Sequence, residues 1–171
     1  WDSDLPPDRE SLIEHISKAD GIFSLLTERI DEAIIESSPS LKVISNMAVG
    51  TDNIDVASAT RHNIPVGNTP GVLTETTADF AFSLLISSSR RIVDADNYVR
   101  AGHWKTWGPS ILLGRDLFGA TLGIIGYGEI GQAMARRATG FDMKILYNRR
   151  TPIEPIDGIN ASYATVDQIL L

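Results

Sequence analysis

The sequence predicts an α/β protein built on parallel sheets with crossover helices. Short β-rich runs alternate with helical stretches along the chain, and there are no repeats and no low-complexity tract. At one of these strand-to-helix junctions stands a glycine-rich turn, Gly126-Tyr127-Gly128-Glu129-Ile130-Gly131. The 171 residues are 43% apolar and 22% charged, the balance of a packed globular chain, and they suffice for one domain or two small ones.

The first helix is expected from Arg9 to Lys18, with Leu12, Ile13 and Ile16 on one face. Strands follow at Gly21 to Leu26, Leu41 to Ser45 and Ile64 to Val66, each a short apolar run that ends in a polar or glycine-bearing turn. Between them lie helices at Asp31 to Glu36 and at Val56 to Arg61, the latter started by Asp55 as N-cap. After the turn Asn68-Thr69-Pro70-Gly71, one long helix is expected over Thr76 to Arg100, with Phe80, Leu84, Ile92, Tyr98 and Val99 among its apolar positions. At about 1.5 Å per residue it spans nearly 40 Å, longer than a usual crossover and suited to linking two lobes.

The loop from Gly102 to Leu117 carries Trp104 and Trp107. Large aromatics in a loop suggest a contact surface; the alternative is that both anchor the loop to its own core. A strand at Thr121 to Ile125, a helix at Gln132 to Thr139 and a strand at Met143 to Tyr147 then form one βαβ unit. Residues 151–158, with Pro152 and Pro155, read as a surface loop, and Val166 to Leu171 as the start of a short amphipathic helix.

Fifteen basic against 22 acidic residues give a net charge of −7, which argues against a general phosphate-backbone binder, so no nucleic-acid partner is expected. No run approaches the roughly 18 apolar residues of a membrane span, and the start Trp1-Asp2-Ser3-Asp4 is too acidic for a signal peptide, so a cytoplasmic protein is the default. Zero Cys excludes disulfides and thiol nucleophiles, and three scattered His argue against a metal cluster. Both ends predict a fragment: the first residue is not Met, and the last segment stops partway through a helix.

G-x-G-x-x-G is a weak pattern alone, but here it follows a strand, opens a helix and is followed by a second strand, the context of a dinucleotide fingerprint. In that reading Gly126 permits the tight turn, Gly128 lets the backbone approach a pyrophosphate, and Gly131 allows close helix-to-strand packing. The helix N-terminus supplies N–H groups and a partial charge of roughly +0.5. The alternative is a glycine turn that binds nothing, or another nucleoside cofactor. An acid at the end of the second strand would accept from a ribose 2′-hydroxyl and repel a 2′-phosphate; here stands Asn148-Arg149-Arg150, which points to NADP in preference to NAD unless both Arg merely face solvent. A second site is suggested at Val49-Gly50-Thr51-Asp52-Asn53-Ile54-Asp55, where backbone N–H groups of a turn can hold a small anion. Asp52 and Asp55 read as turn and cap residues.

Those residues resemble the D-isomer-specific 2-hydroxyacid dehydrogenases, and within them the glyoxylate/hydroxypyruvate reductase branch. The carriers are 49–55, then Asn68-Thr69-Pro70-Gly71-Val72-Leu73-Thr74-Glu75-Thr76-Thr77-Ala78-Asp79, then Leu122 to Gln132, in order and at family-like spacing. The resemblance implies a flavodoxin-like substrate domain followed by the first part of a Rossmann dinucleotide-binding domain, both truncated. The substrate domain would occupy residues 1–75, a linker helix 76–101, and the dimer loop with the first half of the NAD(P)-binding domain 102–171. It implies that the Val49 and Gly50 amides hold the carboxylate of a small 2-keto or 2-hydroxy acid, and that Gly126, Tyr127, Gly128, Glu129, Ile130, Gly131, Asn148, Arg149 and Arg150 serve the cofactor, with Thr77 near the nicotinamide. Trp104 to Trp107 matches the family's dimer loop, in which the residue matching Trp107 reaches the partner's active site.

The family's chemistry needs an Arg to bind and polarise the substrate, a His to donate the proton and a Glu to keep that His charged. All three would lie beyond this chain, and none of His15, His62 or His103 falls at a matching position. The expectation is a reductase of glyoxylate or hydroxypyruvate as a full-length homodimer, with the 171 residues inactive alone. A dinucleotide-sensing protein of the family's corepressor branch is the rival, and oxidation of phosphoglycerate or phosphite would change the substrate only.

Overall fold

A computed structural model describes residues 4–154 and 156–171. The acidic start at Trp1-Asp2-Ser3 and Pro155 of the 151–158 loop lie outside the described residues. The chain divides into two compact units, one ending at Val72 and one running from Leu73 to Leu171.

The first unit is a three-stranded parallel sheet in the order β1 (Gly21–Ser24), β2 (Val43–Asn46), β3 (Val66–Gly67). Helices α1 (Arg9–Ile16), α2 (Glu32–Glu36) and α3 (Val56–Arg61) each start on an acidic N-cap whose carboxylate accepts an N–H of the first turn: Asp8 from Ser11, Asp31 from Ile34 and Asp55 from Ser58. Ile22 and Ile44, register partners on adjacent strands, share the core with Ile16, Ile34, Ile35, Ala59 and Ile64. Alternation along the strands then leaves Phe23 and Val43 on the open side.

The second unit begins with a helix that differs from the expectation. The single helix over Thr76 to Arg100 is two, α4 (Thr74–Ser89) and α5 (Ile92–Arg100), with Arg91 between them in the left-handed region at φ 55°. In an unbroken helix the Ser89 carbonyl would serve the N–H four residues on. It instead accepts the Arg115 N–H at 2.7 Å, and Gly114 lies so close that a Cβ there would stand 2.3 Å from the same oxygen. The loop at Gly114 and Arg115 captures that acceptor where the helix ends, an effect invisible in local sequence.

The second sheet, also parallel, runs β4 (Thr121–Ile125), β5 (Lys144–Asn148), β6 (Ala161–Tyr163). Helix α6 (Glu129–Thr139) starts three residues earlier than expected, and β6 is a strand where none was expected. The closing helix α7 (Val166–Leu170) carries a capping box between Thr165 and Gln168. Gly123 of β4 lets α7 close in, since a Cβ there would meet Ile169 at 2.3 Å. The core of this unit joins Phe82 of α4, Ala135 and Ala138 of α6, Ile124 of β4, and Ile145 and Tyr147 of β5. Charge adds to the α4–α6 contact: Arg137 bonds the Asp79 carboxylate through Nε at 2.8 Å and Glu75 at 2.9 Å, and Arg136 also pairs with Glu75. Among the described residues no helix is long and apolar enough to cross a membrane.

Candidate functional site

The loop that leaves β2 holds the first candidate site. Ala48, Val49 and Gly50 present three successive carbonyls, and each is tied. Ala48 accepts the Thr69 N–H at 2.9 Å, Val49 the Asn68 side-chain amide at 2.8 Å, and Gly50 the Asn46 side-chain amide at 2.9 Å. Among the described residues no peptide bond is cis, and in a trans peptide the N–H points opposite the C=O of the same unit, so tying these carbonyls orients the N–H groups of Val49, Gly50 and Thr51. None of the three has an acceptor among the described residues. A row of such donors at the C-terminal end of parallel strands is a ready anion site that needs no cationic side chain.

Asn46 is the hub beneath it. The residue is 1% exposed; its carbonyl oxygen accepts the Ser24 hydroxyl at 2.9 Å and its amide also reaches Asn53 at 3.2 Å. Asn53 in turn donates to the Leu25 and Glu28 carbonyls at 2.9 and 3.1 Å, fixing the neighbouring loop after β1. Sequence reasoning missed this set. Its signal was two Asn seven residues apart across the V-G pair, at a strand end where a buried amide must find partners. Asp55 is the N-cap it was read to be, and Asp52 is an exposed turn residue.

The second candidate site is the turn between β4 and α6. Gly126 sits at φ 98°, where a side chain is strained, and its N–H and that of Tyr127 both donate to the Asn148 carbonyl, at 3.0 and 3.2 Å. Gly131 cannot bear a side chain, since a Cβ would stand 2.4 Å from the Gly126 carbonyl oxygen. A Cβ added at Gly128 would meet nothing within 4 Å among the described residues, and no side chain caps the N-terminus of α6. The first-turn N–H groups of Glu129, Ile130 and Gly131 therefore remain for an anion. These features fit a dinucleotide pyrophosphate.

The remaining expected cofactor residues fall around this turn in different ways. Tyr127 points inward: it is 1% exposed, stacks on Tyr147 with ring centroids 4.2 Å apart, and its hydroxyl has no partner among the described residues. Burial pushes its phenol pKa up. Glu129 is exposed and accepts the Thr74 hydroxyl at 3.1 Å; Ile130 is exposed. Asn148 donates its side-chain amide to the Ala164 carbonyl at 2.8 Å. Arg149 is half-buried and Arg150 exposed, and neither guanidinium meets a carboxylate among the described residues. Thr77 is exposed on α4, one turn beyond Thr74. Trp104 and Trp107 are 50% and 72% exposed, which leaves Trp107 without the burial of a core anchor.

The three His have structural partners. The His15 ring nitrogen bonds the Ser11 carbonyl at 2.7 Å, that of His62 the Ser58 carbonyl at 2.9 Å, and His103 packs beside Tyr98 at 5.4 Å. The hydrogen bond from Arg137 holds the Glu75 carboxyl below its ordinary range.

The family model of the D-isomer specific 2-hydroxyacid dehydrogenase catalytic domain matches residues 2–167. The chain is 49% identical over 174 residues to the glyoxylate reductase of Korarchaeum cryptofilum, covering 99% of this chain and 52% of that protein. Among solved structures it is similar to the TT0316 protein from Thermus thermophilus, with a TM-score of 0.90, 40% identity, and 97% of this chain covering 52% of that one. It is also similar to the D-lactate dehydrogenase of Aquifex aeolicus solved with NAD and lactic acid, with a TM-score of 0.83, 25% identity, and 98% of this chain covering 48% of that one. The chain thus spans about half the length of the curated relatives it matches.

Proposed function

The chain belongs to the D-isomer specific 2-hydroxyacid dehydrogenases, and from that membership we propose that the whole protein reduces a small 2-keto acid, glyoxylate or hydroxypyruvate, to the D-2-hydroxy acid with NADPH in preference to NADH. The observation that carries this reading is the row of oriented N–H donors at Val49, Gly50 and Thr51. A 2-keto acid presents a carboxylate that suits them, and amides that hold it without a charged side chain leave the neighbouring carbonyl to the chemistry. The bound nicotinamide supplies the hydride.

This chain's residues bind and orient. The N-terminus of α6 takes the pyrophosphate, with Gly128 giving room for backbone approach. Arg149 and Arg150, which meet no carboxylate among the described residues, take a 2′-phosphate; one charge-assisted bond of about 1.5–3 kcal/mol favours NADPH by roughly tenfold or more. Thr77 lines the nicotinamide side. The exposed Trp104–Trp107 loop makes the contact of a cytoplasmic homodimer, with Trp107 reaching the partner's substrate. The Arg, Glu and His that polarise the substrate and deliver the proton lie outside these 171 residues, so the piece alone turns over no keto acid.

Oxidation of NADPH and of NADH by the full-length protein, followed separately with each keto acid, tests the reading. Turnover with kcat/KM about tenfold higher for NADPH is expected. Equal rates with both cofactors remove the role of Arg149 and Arg150. Cofactor binding without reduction of either acid replaces the enzyme with a dinucleotide sensor.

A further inference from the structure

Resting on the reading of Val49 and Gly50 as the carboxylate site, we propose that Asn68 is a positioning residue, acting with Asn46 to set the substrate affinity of the loop by fixing its peptide planes while touching no substrate.

The sheet itself brings the two amides together. Ile44 pairs with Val66 and Ser45 with Gly67, so the next step along each strand sets Asn46 beside Asn68 at the C-terminal ends of β2 and β3. From there Asn68 donates to the Val49 carbonyl at 2.8 Å and Asn46 to the Gly50 carbonyl at 2.9 Å. Each bond fixes the plane whose other edge carries the next N–H: that of Gly50 in the first case, that of Thr51 in the second. Thr69 completes the row through Ala48 at 2.9 Å, which fixes the N–H of Val49.

The two amides differ in what they do for folding. Asn46 is buried within a network, so its loss disturbs the unit as a whole. Asn68 and Val49 are both exposed, and water can satisfy an exposed carbonyl as well as an amide can. What the Asn68 bond contributes is therefore direction. Without it the 49–50 peptide is free to rotate and turn the Val49 oxygen toward a bound carboxylate, exchanging a donor for a repelling acceptor. Preorganised donors work because no reorientation is left to be done when the anion arrives.

The test compares the full-length wild-type protein with Asn68→Ala, each with glyoxylate and with its uncharged methyl ester, at saturating NADPH. The expected result is a KM for glyoxylate raised about tenfold, the effect of one lost charge-assisted bond, with kcat, cofactor affinity and the KM for the ester nearly unchanged. An equal rise for acid and ester means the loop has merely loosened, and overturns the proposal; so does an unchanged KM for glyoxylate. A wild-type protein that does not prefer glyoxylate over the ester overturns the carboxylate reading of Val49 and Gly50 before any variant is made, which separates the two failures.

Discussion

The loop after β2 and the loop after β4 both leave N–H groups at the C-terminal end of a parallel strand without an acceptor among the described residues, by different means. After β2, three carbonyls are gripped by two side-chain amides and one backbone N–H, so the donors on the other edge of each peptide are aimed by bonds. After β4, glycine supplies the shape: Gly126 takes a positive φ, Gly131 admits the Gly126 carbonyl at the helix, and the helix end stays uncapped. One device depends on side chains being present and the other on their absence. They should therefore fail under opposite substitutions.

Gly131→Ala is the largest expected effect. Its Cβ would press to 2.4 Å on a backbone oxygen that cannot swing away, so overpacking costs about 3 kcal/mol and the turn loses dinucleotide binding. Thermal unfolding with a cofactor titration reads both, and a stable, cofactor-binding variant would break the contrast. Asn46→Ala comes next, at about 2 kcal/mol, because it strands the buried Ser24 hydroxyl and takes away the donor to the Asn53 side-chain oxygen. A denaturation midpoint in urea measures it. An unchanged midpoint would show that the loop after β2 holds its form without the amides.

The smallest effect is a pH response at the α4–α6 contact. The Glu75 carboxyl is held below its ordinary value by Arg137, so the α4–α6 pair contributes fully above the ordinary glutamate range and is lost as acidification carries the pH down through the depressed pKa. The carbonyls of the loop after β2 are held by uncharged amides. Thermal midpoints of wild-type and Glu75→Gln protein should accordingly differ at neutral pH and converge on acidification. A gap that persists at low pH would place the Glu75 contribution in packing rather than charge.

The two devices also differed in how far they could be read. A glycine at every required position writes the turn after β4 into the sequence, and the α3 cap at Asp55 and the β4 limits were legible for the same reason, since local backbone demands select local residue types. The loop after β2 showed its V-G pair and its place between strand and helix, but not the amides that aim it, because Asn68 stands 19 residues from Val49 and meets it only once β2 and β3 are paired. The three-residue β6 was missed because so short a run carries too little periodicity. The end of α4 failed for another reason: nothing from Thr76 to Arg100 forbids a helix, and a loop residue more than twenty positions away takes the carbonyl that would have continued it.

By itself the sequence determined the alternation of strands and helices, the parallel sheets and the glycine turn, because periodicity, capping and positive φ are properties of neighbouring residues. The tertiary structure alone decided where α4 stops, that Tyr127 faces the core while Arg149 and Arg150 meet no carboxylate among the described residues, and which asparagines orient the donors after β2. Each of those turns on which distant group reaches a backbone carbonyl or a charge first, and distance along the chain carries no record of that competition.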